Sequence, residues 1–160
     1  MDCLEYMRSL PDKHFDLCIA DPPYGIGISG QKGCLCKNPK HNRKTHIDKG
    51  WDYSIPCKEV FDEMQRISKH VIIWGANYFL KYLDEAHKGW ICWYKGQQGL
   101  TMSDCELAYS NFDTPTRVVT INRGALAREG TIHPTQKPIA LYAWILKNYA
   151  IGGVKSSTHS

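Results

Sequence analysis

Residues 15–27 read FDLCIADPPYGIG. The first six residues suit a short buried strand, and Asp21-Pro22-Pro23-Tyr24 stops it at once. Proline has no amide hydrogen and fixes its own φ. It also drives the residue before it toward extended backbone. Asp21 and Pro22 are therefore expected to be stiff and extended, with Gly25 and Gly27 permitting the turn that follows. The product is a rigid ledge carrying one carboxylate, free carbonyls and one aromatic ring. A proline turn that merely caps a strand is the simpler alternative, because short motifs give false positives.

The pattern outward from this ledge alternates strands and helices. Leu4, Met7 and Leu10 stand near helical spacing, and Pro11-Asp12 end that segment. Val60, Phe61, Met64 and Ile67 mark one face of a helix over 57–69. A buried strand is expected from Val71 to Trp74, broken by Gly75. Further strands are expected at 90–94, 104–110 and 117–121. Pro138 opens a helix whose apolar stripe reads Ile139, Tyr142, Ile145, Leu146 and Tyr149. This order predicts an α/β sheet. Ligand groups in such sheets gather where strands end, and both Asp21–Tyr24 and Gly75–Phe79 follow expected strands.

The chain of 160 residues is long enough for one domain with a real core. No apolar run approaches a membrane span and no signal-peptide pattern opens the chain. The expectation is a soluble protein of the cytoplasm. Its seven cysteines are odd in number, and most lie in apolar or helical stretches, so reduced core thiols are expected. The net charge of +4 is mild. Between residues 31 and 50, however, Lys32, Lys37, Lys40, Arg43, Lys44 and Lys49 face a single acid, Asp48. They sit in a long aperiodic stretch, about 25–56, of a length unusual for a structureless loop in a compact domain. This run is either a solvated loop or a phosphate-tracking footprint, with Lys37, Lys40, Arg43 and Lys44 the candidate DNA contacts. Cys34, Cys36, His41 and His46 lie in the same stretch. They suit zinc by residue type, but their spacing matches no standard finger and no metal site is assigned.

The ledge suits one particular chemistry. An exocyclic amino group on a nucleobase is a poor nucleophile, because its lone pair is delocalised into the ring. A carboxylate at Asp21 and the Pro22 carbonyl supply two fixed acceptors for its N–H bonds, favouring the pyramidal nitrogen formed during attack. Tyr24 offers an aromatic face to a base extruded from a duplex. Asp104 and Glu106, alternating along an expected strand, are either polar pocket walls or a solvated edge. Trp51, Trp74, Trp90 and Trp93 are read as core or loop packing.

A second motif, HPTQKP at 133–138, directly precedes the last helix. With DCLEYM, DPPYGI, GANYF and CELAYSNF before it, in that order, the chain resembles the permuted (beta-type) N4/N6-amino DNA methyltransferases. The likeness is greatest to compact phage and prophage adenine methylases. The resemblance covers nearly the whole chain. It implies a Rossmann-like fold, S-adenosylmethionine as cofactor and double-stranded DNA as partner. It assigns Asp21, Pro22, Pro23 and Tyr24 to catalysis and the target base. It assigns Thr135, Gln136 and Lys137, with Asp21, to the cofactor pocket. Relatives acting on cytosine N4 usually carry Ser at the place of Asp21, so the Asp implies adenine N6.

The chain departs from that pattern at 151–160. Relatives continue with a strand resembling Lys-Ile-Leu-Asp-Pro-Phe and a Gly-x-Gly loop. Here the sequence reads IGGVKSSTHS. The codons AAA ATC CTC GAC CCA TTC spell the relatives' strand. Loss of one A from their opening run gives AAA TCC TCG ACC CAT TC, which with any base next spells Lys-Ser-Ser-Thr-His-Ser, the residues at 155–160. The expectation is a single partial methyltransferase domain over 1–160, out of frame at its tail and lacking the glycine-rich cofactor half. Such a chain would bind S-adenosylmethionine no better than millimolar and would be impaired in methyl transfer. The segment at 15–20 would lie at a sheet edge. The rival readings are a non-enzymatic DNA-binding remnant, a cytosine-N4 methyltransferase and a small zinc-binding nucleic-acid module.

Overall fold

The apolar run before Asp21 forms a strand, β1 (Phe15–Ala20), in the computed structural model, which describes residues 2–30, 50–83, 88–99, 103–122 and 135–150. β1 runs parallel to β2 (Ser68–Trp74), with Leu17 opposite His70 and Ile19 opposite Ile72. Parallel neighbours need a crossover, and α2 (Lys58–Ile67) lies on it. Ahead of β1, α1 (Cys3–Arg8) is capped by Asp2, whose carboxylate accepts the Leu4 amide at 3.2 Å. Arg66 ties the two helices together. Its guanidinium donates to the Met7 and Leu10 carbonyls at 2.8 and 2.9 Å, and pairs with Glu63 and Asp12.

Three more strands complete a mixed sheet: β3 (Ile91–Tyr94), β4 (Cys105–Ser110) and β5 (Arg117–Thr120), in the order β1-β2-β4-β3-β5. β4 is antiparallel to both its neighbours, while β3 and β5 are parallel. Among the described residues β1 lies at the edge of the sheet, as expected for segment 15–20. The period-two alternation of strand side chains divides the core between two faces. Val71, Ile73 and Tyr109 pack with Phe61 of α2 and Phe79. Ile72, Trp74, Ile91, Trp93, Ala108 and Val119 pack against the last helix, α3 (Ile139–Tyr149). Each large apolar side chain buried this way is worth about 1.5–3 kcal/mol.

Three expectations need correction. β2 begins at Ser68 rather than Val71, because α2 passes into it with no intervening loop and Ser68 pairs with Phe15. α3 buries Leu141, Ile145 and Tyr149, while Ile139 and Leu146 are exposed. The helix is apolar nearly all round, so its pattern cannot single out the inward stripe. The cysteines are free among the described residues, but none is fully buried: Cys3 and Cys57 are exposed, and Cys18, Cys92 and Cys105 are half-buried. No helix among the described residues is long and apolar enough to cross a membrane.

Candidate functional site

The ledge leaves the carboxyl end of β1 and turns around a second acid. Asp52 is fully buried. Its Oδ1 accepts the Gly25 amide at 2.8 Å, and its Oδ2 accepts the Ile28 amide at 3.0 Å. Its own carbonyl accepts the Gly27 amide at 3.0 Å. Gly25 and Gly27 both have φ near +70°, which a side chain would strain. The turn predicted from the two glycines is therefore built on a buried carboxylate from the far end of the 25–56 stretch.

Tyr24 is fixed from the end of β2. Its ring stacks on Tyr78, with centroids 5.1 Å apart and planes at 16°, and meets Phe79 edge-on. Gly75, at φ 69°, allows this approach: a Cβ there would collide with Cε1 of the Tyr24 ring. The expected base platform is thus already a packed ring within the GANYF turn. Its hydroxyl points into a cluster of charges.

That cluster centres on Lys137, which lies one residue before the Pro138 cap of α3 and whose side chain is 2% exposed. Its Nζ reaches three acceptors: Asp21 Oδ1 at 2.5 Å, Tyr24 Oη at 3.0 Å and Glu106 Oε2 at 3.3 Å. An ammonium has three protons, so the set is matched. Tyr24 Oη has one proton, and Asp21 Oδ1 at 2.8 Å is its nearer acceptor; Glu106 Oε2 lies at 3.4 Å. Glu106 Oε1 in turn pairs with Lys95 at 2.8 Å. The Trp74 and Tyr24 rings each have their centroid 5.5 Å from the Lys137 ammonium.

The electrostatics follow from this geometry. Burial, then the charges of Asp21 and Glu106, push the Tyr24 phenol far above its usual range, so it stays a proton donor. Burial pushes Glu106 up, but Lys137 and Lys95 together outweigh it and hold the carboxyl below the usual range. Tyr142 of α3 is raised by burial and by the same two acids. Among the described residues only Oδ1 of Asp21 is engaged; Oδ2 has no partner.

Asp21, Pro22, Pro23 and Tyr24 line a small hollow of about 20 Å³ together with Ile28, Trp51, Asp52 and Thr135. Small-molecule sites usually enclose roughly 300–1,000 Å³, so a base enters this hollow only if its walls part. Of the residues expected in the cofactor pocket, Thr135 borders this hollow and Lys137 lies in the charged cluster. Gln136 between them is half-buried. Lys37, Lys40, Arg43 and Lys44 lie outside the described residues, as do Cys34, Cys36, His41, His46, His133, Pro134 and the tail at 151–160. No group of metal-binding side chains occurs among the described residues.

Sequence reasoning missed Asp52, Lys95 and Tyr142. Asp52 gives no signal beyond an acid between two aromatics. Lys95 follows an apolar strand, a place where a cation usually meets water. Glu106 had a signal in its alternation with Asp104. It belongs to the site, whereas Asp104 precedes β4 and serves through its carbonyl, which accepts the Lys95 amide. No protein-family model matches the chain.

Proposed function

We propose that this site holds and activates the 6-amino group of an adenine extruded from duplex DNA. In this reading the chain carries the base-handling part of an adenine-N6 DNA methyltransferase. The observation that carries it is the division of labour on Asp21, a residue that lines the hollow: Lys137 and Tyr24 saturate Oδ1, and Oδ2 is left without a partner. Oδ2 accepts one N–H of the amine and the Pro22 carbonyl accepts the other. Both bonds favour the pyramidal nitrogen, and Oδ2 takes the proton that the amine releases on methylation. Pro22, Pro23, Ile28 and Trp51 exclude water and give the base apolar walls.

The resemblance at DPPYGI and HPTQKP supports this chemistry, and the basic run at 31–50 supports a phosphate-rich partner. A Rossmann-like reading of the sheet rests on the parallel β1–β2 pair, with α2 between them and the ledge at β1's carboxyl end. The implied methyl donor, S-adenosylmethionine, supplies an electrophilic methyl group when bound. Thr135, Gln136 and Lys137 would hold its amino-acid end. The fit is chemical: a zwitterion needs both charges, and this corner offers Asp21 for its ammonium and Lys137 for its carboxylate, Lys137 exchanging one of its three partners.

The test needs no cofactor. Duplexes are made with one mispaired adenine or, in its place, mispaired purine, which lacks the 6-amino group. The chain should prefer adenine by about tenfold or more, the worth of a hydrogen bond to a charged acceptor. Asp21→Ala should erase that preference and leave affinity for fully paired duplex unchanged, since phosphate contacts dominate it. Equal binding of adenine and purine by the wild-type chain overturns the reading. A preference for mispaired cytosine over adenine moves it to the N4 amine.

A further inference from the structure

Glu106 touches neither the ledge backbone nor the hollow, yet it is built into the site from the opposite strand. On β4 it stands opposite Trp93 and two residues from Ala108, which pairs with Trp74 at the end of β2. It therefore faces α3, where Lys137 enters. The Lys137 ammonium is nearly stripped of water, and such a charge is tolerated only when paired and hydrogen-bonded. Asp21 alone meets the first need. Glu106 at 3.3 Å supplies the second anion, and Lys95 at 2.8 Å balances Glu106 in turn. The four charges sum to zero, with Lys137 shared between two carboxylates.

We propose that Glu106 is a positioning residue of this site: it shares the Lys137 ammonium with Asp21, so that Asp21 keeps Oδ2 as a strong acceptor for the amino group of the base. The proposal rests on the adenine reading above. Without the Glu106 charge, two ammoniums face one carboxylate. Lys137 then bears on Asp21 alone and withdraws charge from the oxygen that must hold the amine. Lys137 also loses one of its three acceptors and gains freedom to leave the cluster.

Two measurements test this, and the first is independent of DNA. Native acetylation by limiting acetic anhydride, read by mass spectrometry, should find Lys137 protected relative to Lys58, whose side chain is 58% exposed. Glu106→Gln, nearly isosteric, should speed modification of Lys137 by about tenfold or more, the effect of a lost charge-assisted hydrogen bond. Lys58 should not change. An unchanged Lys137 rate overturns the proposal. The second is the adenine-over-purine preference. Glu106→Gln should lower it toward unity, Glu106→Asp should restore part of it, and Glu106→Gln should cause no further loss in a Lys137→Met background. A residue that only held the fold would lower adenine and purine binding alike, in both backgrounds, and that result also overturns the proposal. If the wild-type chain shows no adenine preference while Lys137 protection depends on Glu106, the anchoring role stands and the adenine reading falls.

Discussion

Two aspartates border the same hollow and are held in opposite ways. Asp52 is fully buried, and its carboxylate is fixed by the amides of Gly25 and Ile28. The side chain of Asp21 is 27% exposed, and one of its oxygens is held by side chains from distant parts of the chain. Backbone amides cannot be withdrawn without unfolding the turn, so Asp52 belongs to the architecture. A lysine and a phenol can exchange partners while the backbone stays put, so Asp21 keeps the freedom that a reacting group needs.

The sharpest way to break this contrast is to delete each carboxylate in turn. Asp52→Ala leaves two amides without acceptors, at roughly 1–3 kcal/mol each, and should cost about 3–5 kcal/mol in urea unfolding. Asp21→Ala should cost less, about 1–3 kcal/mol, because Lys137 loses one acceptor but retains Glu106. Equal losses would show that the two acids are both structural.

Gly75→Ala probes the wall that holds Tyr24 beside Asp21. The new Cβ meets the Tyr24 ring, and the residue must keep φ at 69°. Overpacking and left-handed strain together should cost about 2–3 kcal/mol. Adding Tyr24→Ala should relieve the collision but not the backbone strain, so part of the loss should be recovered. No recovery would mean that the glycine is needed for its φ alone.

Tyr24→Phe separates ring from hydroxyl. The ring can still stack on Tyr78, while the bonds to Asp21 and Lys137 vanish. Stability should fall by about 1 kcal/mol, the net worth of a hydrogen bond. The adenine-over-purine preference should fall as well, because Asp21 loses one of the two bonds that orient its carboxylate. An unchanged preference would return Tyr24 to a purely stacking role and leave Asp21 oriented by Lys137 alone.

Much of this architecture was legible because it is local. β1 announces itself by an apolar run that ends in two prolines, and α2 by apolar spacing that the fold buries at Val60, Phe61 and Ile67. The start of β2 was hidden, because Ser68, Lys69 and His70 are polar and become strand only by pairing with β1. The inward face of α3 was hidden for the opposite reason, an excess of apolar residues. In the site, DPPY and the lysine of HPTQKP stood out as motifs, but their meeting is a tertiary fact across more than a hundred residues. Asp52 was silent because a buried carboxylate in a loop has no periodicity. Glu106 was half legible: alternation gives the face of a strand and does not say what that face meets.

The smallest effect is acid sensitivity, and it bears on the charged side of the comparison alone. Burial raises the Glu106 carboxyl, but Lys137 and Lys95 lower it further, so its folded pKa lies below the ordinary value of 4.5. A depressed carboxyl contributes stability that is fully present above the unfolded pKa. That stability is lost as pH falls through the folded value. Glu59 and Glu63 are depressed as well, so the wild-type acid limb is a sum. The quantity to measure is the stability difference between wild type and Glu106→Gln as a function of pH. It should be constant from neutrality down to about pH 5, above the ordinary range of Glu, and should shrink below that. The glutamine removes the titrating group and nearly nothing else. A difference that stays flat through the acid range would mean that Lys137 and Lys95 do not act on Glu106 as charges. The division between an Asp21 held by charge and an Asp52 held by backbone would then rest on packing instead.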